Sequence, residues 1–93
     1  SKSDAKRSDN LRSFVNMVDF KWLEIGKKSK LANQTFTGNL KNTYNVHIIG
    51  VIRGNDMIPN PDDQFIYLDG DLLAVIAPED ERRKFTALLG GTN

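Results

Sequence analysis

The chain has 93 residues, with 13 basic and 12 acidic side chains and a net charge of +1. It therefore lacks the concentrated excess of one sign that an electrostatic nucleic-acid binder or a polybasic membrane anchor requires. The absence of cysteine excludes disulfides and thiolate metal sites, and the longest apolar runs, 46–52 and 72–77, fall far short of the ~20 residues that span a bilayer.

One small soluble domain is expected. A chain this short buries only roughly 60–65% of its unfolded surface, so self-association is a natural source of further stability. It starts at Ser1 rather than Met, which reads as a piece of something longer.

Residues 1–10 are almost entirely polar and read as linker or tail, because such a composition buries too little surface to offset its ordering entropy. Leu11, Phe14, Val15 and Val18 then follow helical spacing, with Ser8, Asp9 or Asn10 available as a cap, so a short amphipathic helix is expected before the domain. The domain organisation is a linker over residues 1–19 and a folded unit over 20–91. Residues 20–25 predict a first strand, closed by Gly26 and the run Lys27-Lys28-Ser29-Lys30, which reads as a solvated loop.

After a polar bend in which Asn33 takes a left-handed conformation, residues 37–44 predict one or two helical turns. Thr37 is the expected cap, Leu40 and Tyr44 share a face, and Asn45 closes the helix as a left-handed residue. Residues 46–53 make the strongest strand signal, too apolar for a one-sided surface strand, so both faces should be covered. Gly54-Asn55 is a two-residue hairpin signal leading into a strand at 56–58, which Pro59 and Pro61 end. Residues 64–67 read as a short extended piece, Asp69-Gly70 as a turn and 72–77 as another apolar strand.

Pro78, the acidic triplet Glu79-Asp80-Glu81, the stripe Phe85, Leu88 and Leu89, and the stop Gly90-Gly91 define a terminal helix. This order predicts a small two-layer α+β domain, with helices on one face of a mainly antiparallel, four-stranded sheet.

The chemistry needed for catalysis is thin. His47 is the sole histidine, Asp62-Asp63 lie beside Pro61 in a loop, and Asp69-Gly70-Asp71 reads as a turn whose carboxylates bond backbone N–H groups. No glycine-rich phosphate cradle or EF-hand spacing occurs. We expect no enzyme, no catalytic residue and no metal site; a hydrolase or metal-dependent enzyme using Asp62, Asp63 and His47 is the weakest reading. In an alternating strand His47 lies on the face opposite Val46 and Ile48, as a surface or interface residue.

From Leu23 to Gly90, roughly three quarters of the chain, the order of signals resembles the TrkA-C domain, the C-terminal regulatory (RCK C-terminal) domain of potassium channels and transporters. The segments that carry the resemblance are Ser29-Lys30-Leu31-Ala32-Asn33-Gln34-Thr35-Phe36, then Leu40 through Tyr44 to Asn45-Val46-His47-Ile48-Ile49-Gly50-Val51-Ile52-Arg53-Gly54. Ile58-Pro59-Asn60-Pro61, Leu68-Asp69-Gly70-Asp71-Leu72-Leu73-Ala74-Val75 and Pro78-Glu79-Asp80 complete it. Asn33, Asn45 and Ala77 stand where the family usually has Gly.

The resemblance implies a cytoplasmic homodimer that regulates ion transport by a membrane-embedded transporter or channel, either fused upstream or held as a separate subunit; the balanced charge implies no nucleic-acid partner. It implies no required cofactor, and a dimer-interface pocket for cyclic di-AMP or another nucleotide built from Leu40, Lys41, Tyr44, Val46, His47, Ile48 and Pro59. Lys41 stands where nucleotide-binding members tend to have Arg, and His47 where they tend to have Asn. The alternative implied by the same resemblance is a purely structural dimerisation module without ligand.

Overall fold

Six consecutive apolar residues suit a strand only where neighbours flank it on both sides, and Leu72–Ala77 lies inside the sheet. The computed structural model describes residues 19–90. Within them, β1 (Asp19–Glu24), α1 (Gly38–Thr43), β2 (His47–Arg53), β3 (Asp56–Pro59), β4 (Leu72–Ala77) and α2 (Glu79–Leu88) follow in that order. The helix expected over 11–18 lies outside the described residues. One antiparallel sheet has the order β1-β4-β2-β3, which is the two-layer α+β arrangement expected.

Register sorts the side chains into two faces. Leu23, Leu73, Val51 and Ile58 stand in one cross-strand row, and Lys21, Val75 and Ile48 in another. Leu73, Val75 and Val51 are fully buried against Phe85, Leu88 and Leu89 of α2 and its C-terminal cap. Burying each such aliphatic side chain stabilises by about 1.5–3 kcal/mol. Leu40 of α1 and Tyr44 just beyond it pack on the same core, so both helices serve one face.

The other face carries the row Trp22, Ala74, Gly50 and Pro59 and the row Glu24, Leu72, Ile52 and Met57. No described helix lies on it, and Met57 is 62% and Trp22 44% exposed. In β2 itself the outward side is unevenly covered: Gly50 is buried and Ile52 half-buried, while His47 is exposed.

A bulge interrupts β2 against β4. Ile48 pairs with Val75 and Gly50 with Ala74, leaving Ile49 as the extra residue, its carbonyl accepting the Asn60 N–H at 2.9 Å. Simple alternation back from the buried Val51 would send Ile48 outward and His47 inward. The inserted residue reverses both, which is how a bulge re-aims the side chains beside it. Ile48 is buried and His47 exposed as a result.

The hairpin turn is two residues long, as the Gly54-Asn55 signal predicts, but Gly54 alone has positive φ, at 61°. That is the requirement of a type II′ turn, and it leaves Asn55 without strain. Asn33 takes φ 66°, as expected. Residues 64–67 form less than a strand: Asp63 and Gln64 turn, and only Tyr67 pairs, in a single bridge to Gln34. Pro78 caps α2 from outside the helix, in an extended conformation, and its carbonyl accepts the Arg82 N–H.

The loop after β1 is anchored. Ser29, in the middle of the lysine run, is buried, donates its hydroxyl to the Leu88 carbonyl at 2.9 Å and accepts the Leu31 N–H at 3.1 Å. Gly26 donates its N–H to the Leu89 carbonyl at 2.8 Å, so close that a Cβ there would lie 3.1 Å from that oxygen. These bonds occupy carbonyls that the end of α2 would otherwise leave without partners.

Arg53 and Asp71 join the far ends of β2 and β4. The guanidinium donates from Nε and Nη2 to the two carboxylate oxygens at 2.8 and 2.7 Å, and from Nη2 to the Ile66 carbonyl at 3.0 Å. The Leu68 N–H also donates to Asp71 at 2.9 Å, and the Arg53 cation lies 4.9 Å from the centre of the Phe65 ring. Burial pushes the Asp71 carboxyl up, but the Arg53 and Leu68 hydrogen bonds and the Arg53 charge outweigh it and hold the group below its ordinary range.

Candidate functional site

The site grows from the turn between α1 and β2. Thr37 is extended and makes no side-chain cap; its hydroxyl pairs with that of Thr35 at 2.8 Å, and Gly38 enters the helix with φ 57°. After six residues the helix leaves through Tyr44, which is extended at φ −112°. Asn45 is therefore not the left-handed closing residue the sequence suggests: its N–H donates to Glu81 of α2 at 3.3 Å, and the Val46 N–H returns to the Tyr44 carbonyl at 2.9 Å. A bond to a side chain distant in sequence replaces the local cap.

This exit brings Lys41, Val46, His47 and Ile48 to one cleft of about 90 Å³, together with Phe36, Tyr67 and the turn Pro61-Asp62-Asp63. Three of the expected pocket residues stand apart. Leu40 packs into the core, Tyr44 lines a different cleft beside α2 with its ring 5.9 Å from Phe85, and Pro59 is exposed at the end of β3 in the outward row with Gly50. Sequence reasoning placed Asp62 and Asp63 in a loop, which they are. It did not place that loop against α1, because the hairpin that carries it there is a tertiary feature.

Electrostatically the cleft is mixed. The Lys41 ammonium donates to Asp63 at 3.3 Å, with both side chains mostly exposed. Asp62 accepts the N–H of Gln64 at 2.9 Å, and its carbonyl accepts that of Phe65, which fixes the turn that presents Asp63. Burial first, then the negative charges of Asp71, Asp62 and Asp63, push the Tyr67 phenol up to about 12. His47, Asp62 and Asp63 do share the cleft, yet no cluster of three His, Asp or Glu side chains among the described residues is arranged to hold a metal ion. The cleft can offer one cation, one imidazole and apolar walls of Val46, Ile48 and Phe36.

The family model for the TrkA-C domain matches residues 20–90. The chain belongs to that family. This is a family of regulatory domains and not of enzymes. Among solved structures, the TrkA-C domain described here is similar to the RCK C domain of the potassium transport protein KtrA, a structure determined in complex with cyclic di-AMP, with a TM-score of 0.73 at 22% identity over 90% of this chain and 96% of that one. It is also similar to BusR of S. agalactiae in complex with its busAB-promoter DNA, with a TM-score of 0.68 at 12% identity. That likeness covers 96% of this chain and 50% of BusR. At such identities both are likenesses of fold. No curated protein matches the chain significantly.

Proposed function

We infer that this TrkA-C domain is a noncatalytic cytoplasmic regulator of a potassium or other ion transporter or channel. It acts as a homodimer whose geometry is biased by a small ligand, cyclic di-AMP or another nucleotide. The observation that carries the reading is the cleft between α1 and β2, where the fold gathers Lys41, Val46, His47 and Ile48. KtrA, of the same fold, supports the ligand class. A cleft of about 90 Å³ is well below the ~300–1,000 Å³ of ordinary ligand sites, which fits a reading in which one copy supplies half a site and a second copy the rest. A ligand spanning two copies regulates only through a different affinity for two dimer arrangements.

Lys41 supplies a point charge for a phosphate, and His47, turned outward by the bulge, a hydrogen-bonding edge for a base. The ion pair of Lys41 with Asp63 favours a second reading, a dimerisation module that takes no ligand, because its one cation is already engaged. BusR was solved on promoter DNA, but the mixed charge of this cleft, one lysine facing two aspartates, argues against a duplex there.

Calorimetry with cyclic di-AMP, with light scattering on the same samples, tests the reading. One ligand bound per two chains, lost in Lys41→Ala and His47→Ala, supports the regulator. A dimer that is indifferent to every nucleotide leaves the assembly module, and a monomer that binds nothing at high concentration sinks both.

A further inference from the structure

The lysine run that the sequence presents as a solvated loop does not stand alone in the fold. Lys28 and Lys30 line a second cleft, of about 300 Å³, whose other wall is α2 and the α1 exit: Lys84, Leu88 and Tyr44. Its volume is at the lower end of the range of ordinary ligand sites. Two lysines two residues apart flank the buried Ser29, and its two hydrogen bonds tie the loop to the end of α2 and to Leu31. Further backbone bonds, Ser29 N–H to Gly26 and Ala32 N–H to Ser29, each at 3.1 Å, close the loop on itself. The lysine stems therefore start from a fixed backbone.

The charges are poorly balanced. Neither Lys28 nor Lys30 has a carboxylate partner among the described residues, and Lys84 shares Glu81, at 3.1 Å, with the Asn45 N–H. The C-terminal end of α2 offers only about half a negative charge, and its Leu88 and Leu89 carbonyls already accept from Ser29 and Gly26. Three ammonium groups around one concavity, with a phenol and a leucine on its walls, are matched by a compact anion with several acceptor oxygens.

We propose that this cleft is a binding site for a phosphate group, separate from the α1–β2 cleft and independent of what that cleft binds. The phosphate is borne by a soluble metabolite or by a lipid headgroup.

Inorganic pyrophosphate is titrated into the full chain by calorimetry and thermal unfolding, at ionic strength held constant with potassium chloride. Vesicles of phosphatidylglycerol and of phosphatidylcholine are tested in parallel. The variants are Lys28→Ala with Lys30→Ala together, Lys27→Ala as a charge control in the same loop but off the cleft, and Lys41→Ala as a control in the other cleft. We expect saturable pyrophosphate binding with a rise in Tm, weakened about tenfold or more in the double variant and unchanged in both controls. Binding to phosphatidylglycerol but not phosphatidylcholine vesicles, with the same lysine dependence, assigns the headgroup; pyrophosphate binding without vesicle binding assigns a soluble phosphate. No binding of either probe overturns the site. So does equal weakening by Lys27→Ala, which marks diffuse charge, or loss in Lys41→Ala, which moves the anion to the other cleft.

Discussion

Asp71 is almost fully buried and makes two hydrogen bonds with Arg53 and one with the Leu68 N–H. Removing one partner of such a pair strands the other, so Asp71→Ala is expected to cost about 3 kcal/mol in chemical denaturation. Because the folded state holds the Asp71 carboxyl below its unfolded value, the contribution is fully present above the ordinary carboxylate range and is lost as pH falls through the depressed value. Wild type should lose stability on acidification through that window, and Asp71→Asn should show a flatter acid limb. A parallel slope in both would refute the assignment. Asp63 acts in the opposite sense on the ligand cleft. An exposed pair is worth about 0.2–1 kcal/mol, so Asp63→Asn should tighten cyclic di-AMP binding by no more than about fivefold by freeing Lys41. Weaker binding would show that Asp63 holds ligand rather than competing with it.

At the scale of elements, the end of α2 depends on a loop distant in sequence. Ser29→Ala leaves the Leu88 carbonyl and the Leu31 N–H without their partner and should cost about 1–3 kcal/mol in thermal or denaturant unfolding. Gly26→Ala pushes a methyl against the Leu89 carbonyl and should destabilise by about 1–3 kcal/mol. If α2 were held by Phe85 and Leu88 alone, both variants would melt with wild type. The bulge at Ile49 is the second such device. It turns Ile48 into the core and His47 outward, and it lies where β2 leaves the α1 exit.

For the whole molecule, the sheet sets β1 and the candidate cleft at opposite edges. β1 and Trp22 stand at one edge, while the hairpin that carries Pro61-Asp62-Asp63 to the cleft stands at the other. Dimerisation through the α1–β2 cleft should therefore leave Trp22 as open to an aqueous fluorescence quencher as it is in the monomer, where it is 44% exposed. Protection of Trp22 on ligand-linked dimerisation would put the interface on the outward sheet face instead. No helix among the described residues is long and apolar enough to cross a membrane, and the inferred link to transport rests on a partner that is embedded in one.

Local chemistry alone determined much of this molecule. The apolar runs at β2 and β4, the Gly54 turn, Asn33 with positive φ and the acidic start of α2 were legible because each depends on residues within a few positions. Tertiary structure decided the rest. Asn45 lost its local cap to Glu81, and Asp71 gained Arg53 in place of a turn held by backbone alone. Tyr44 left the expected pocket for the lysine cleft, and Asp63 arrived beside Lys41 from 22 residues away. Periodicity reports which side of an element is apolar, but not which distant side chain will meet it, because that choice is made by packing and by the need to pair every buried polar group.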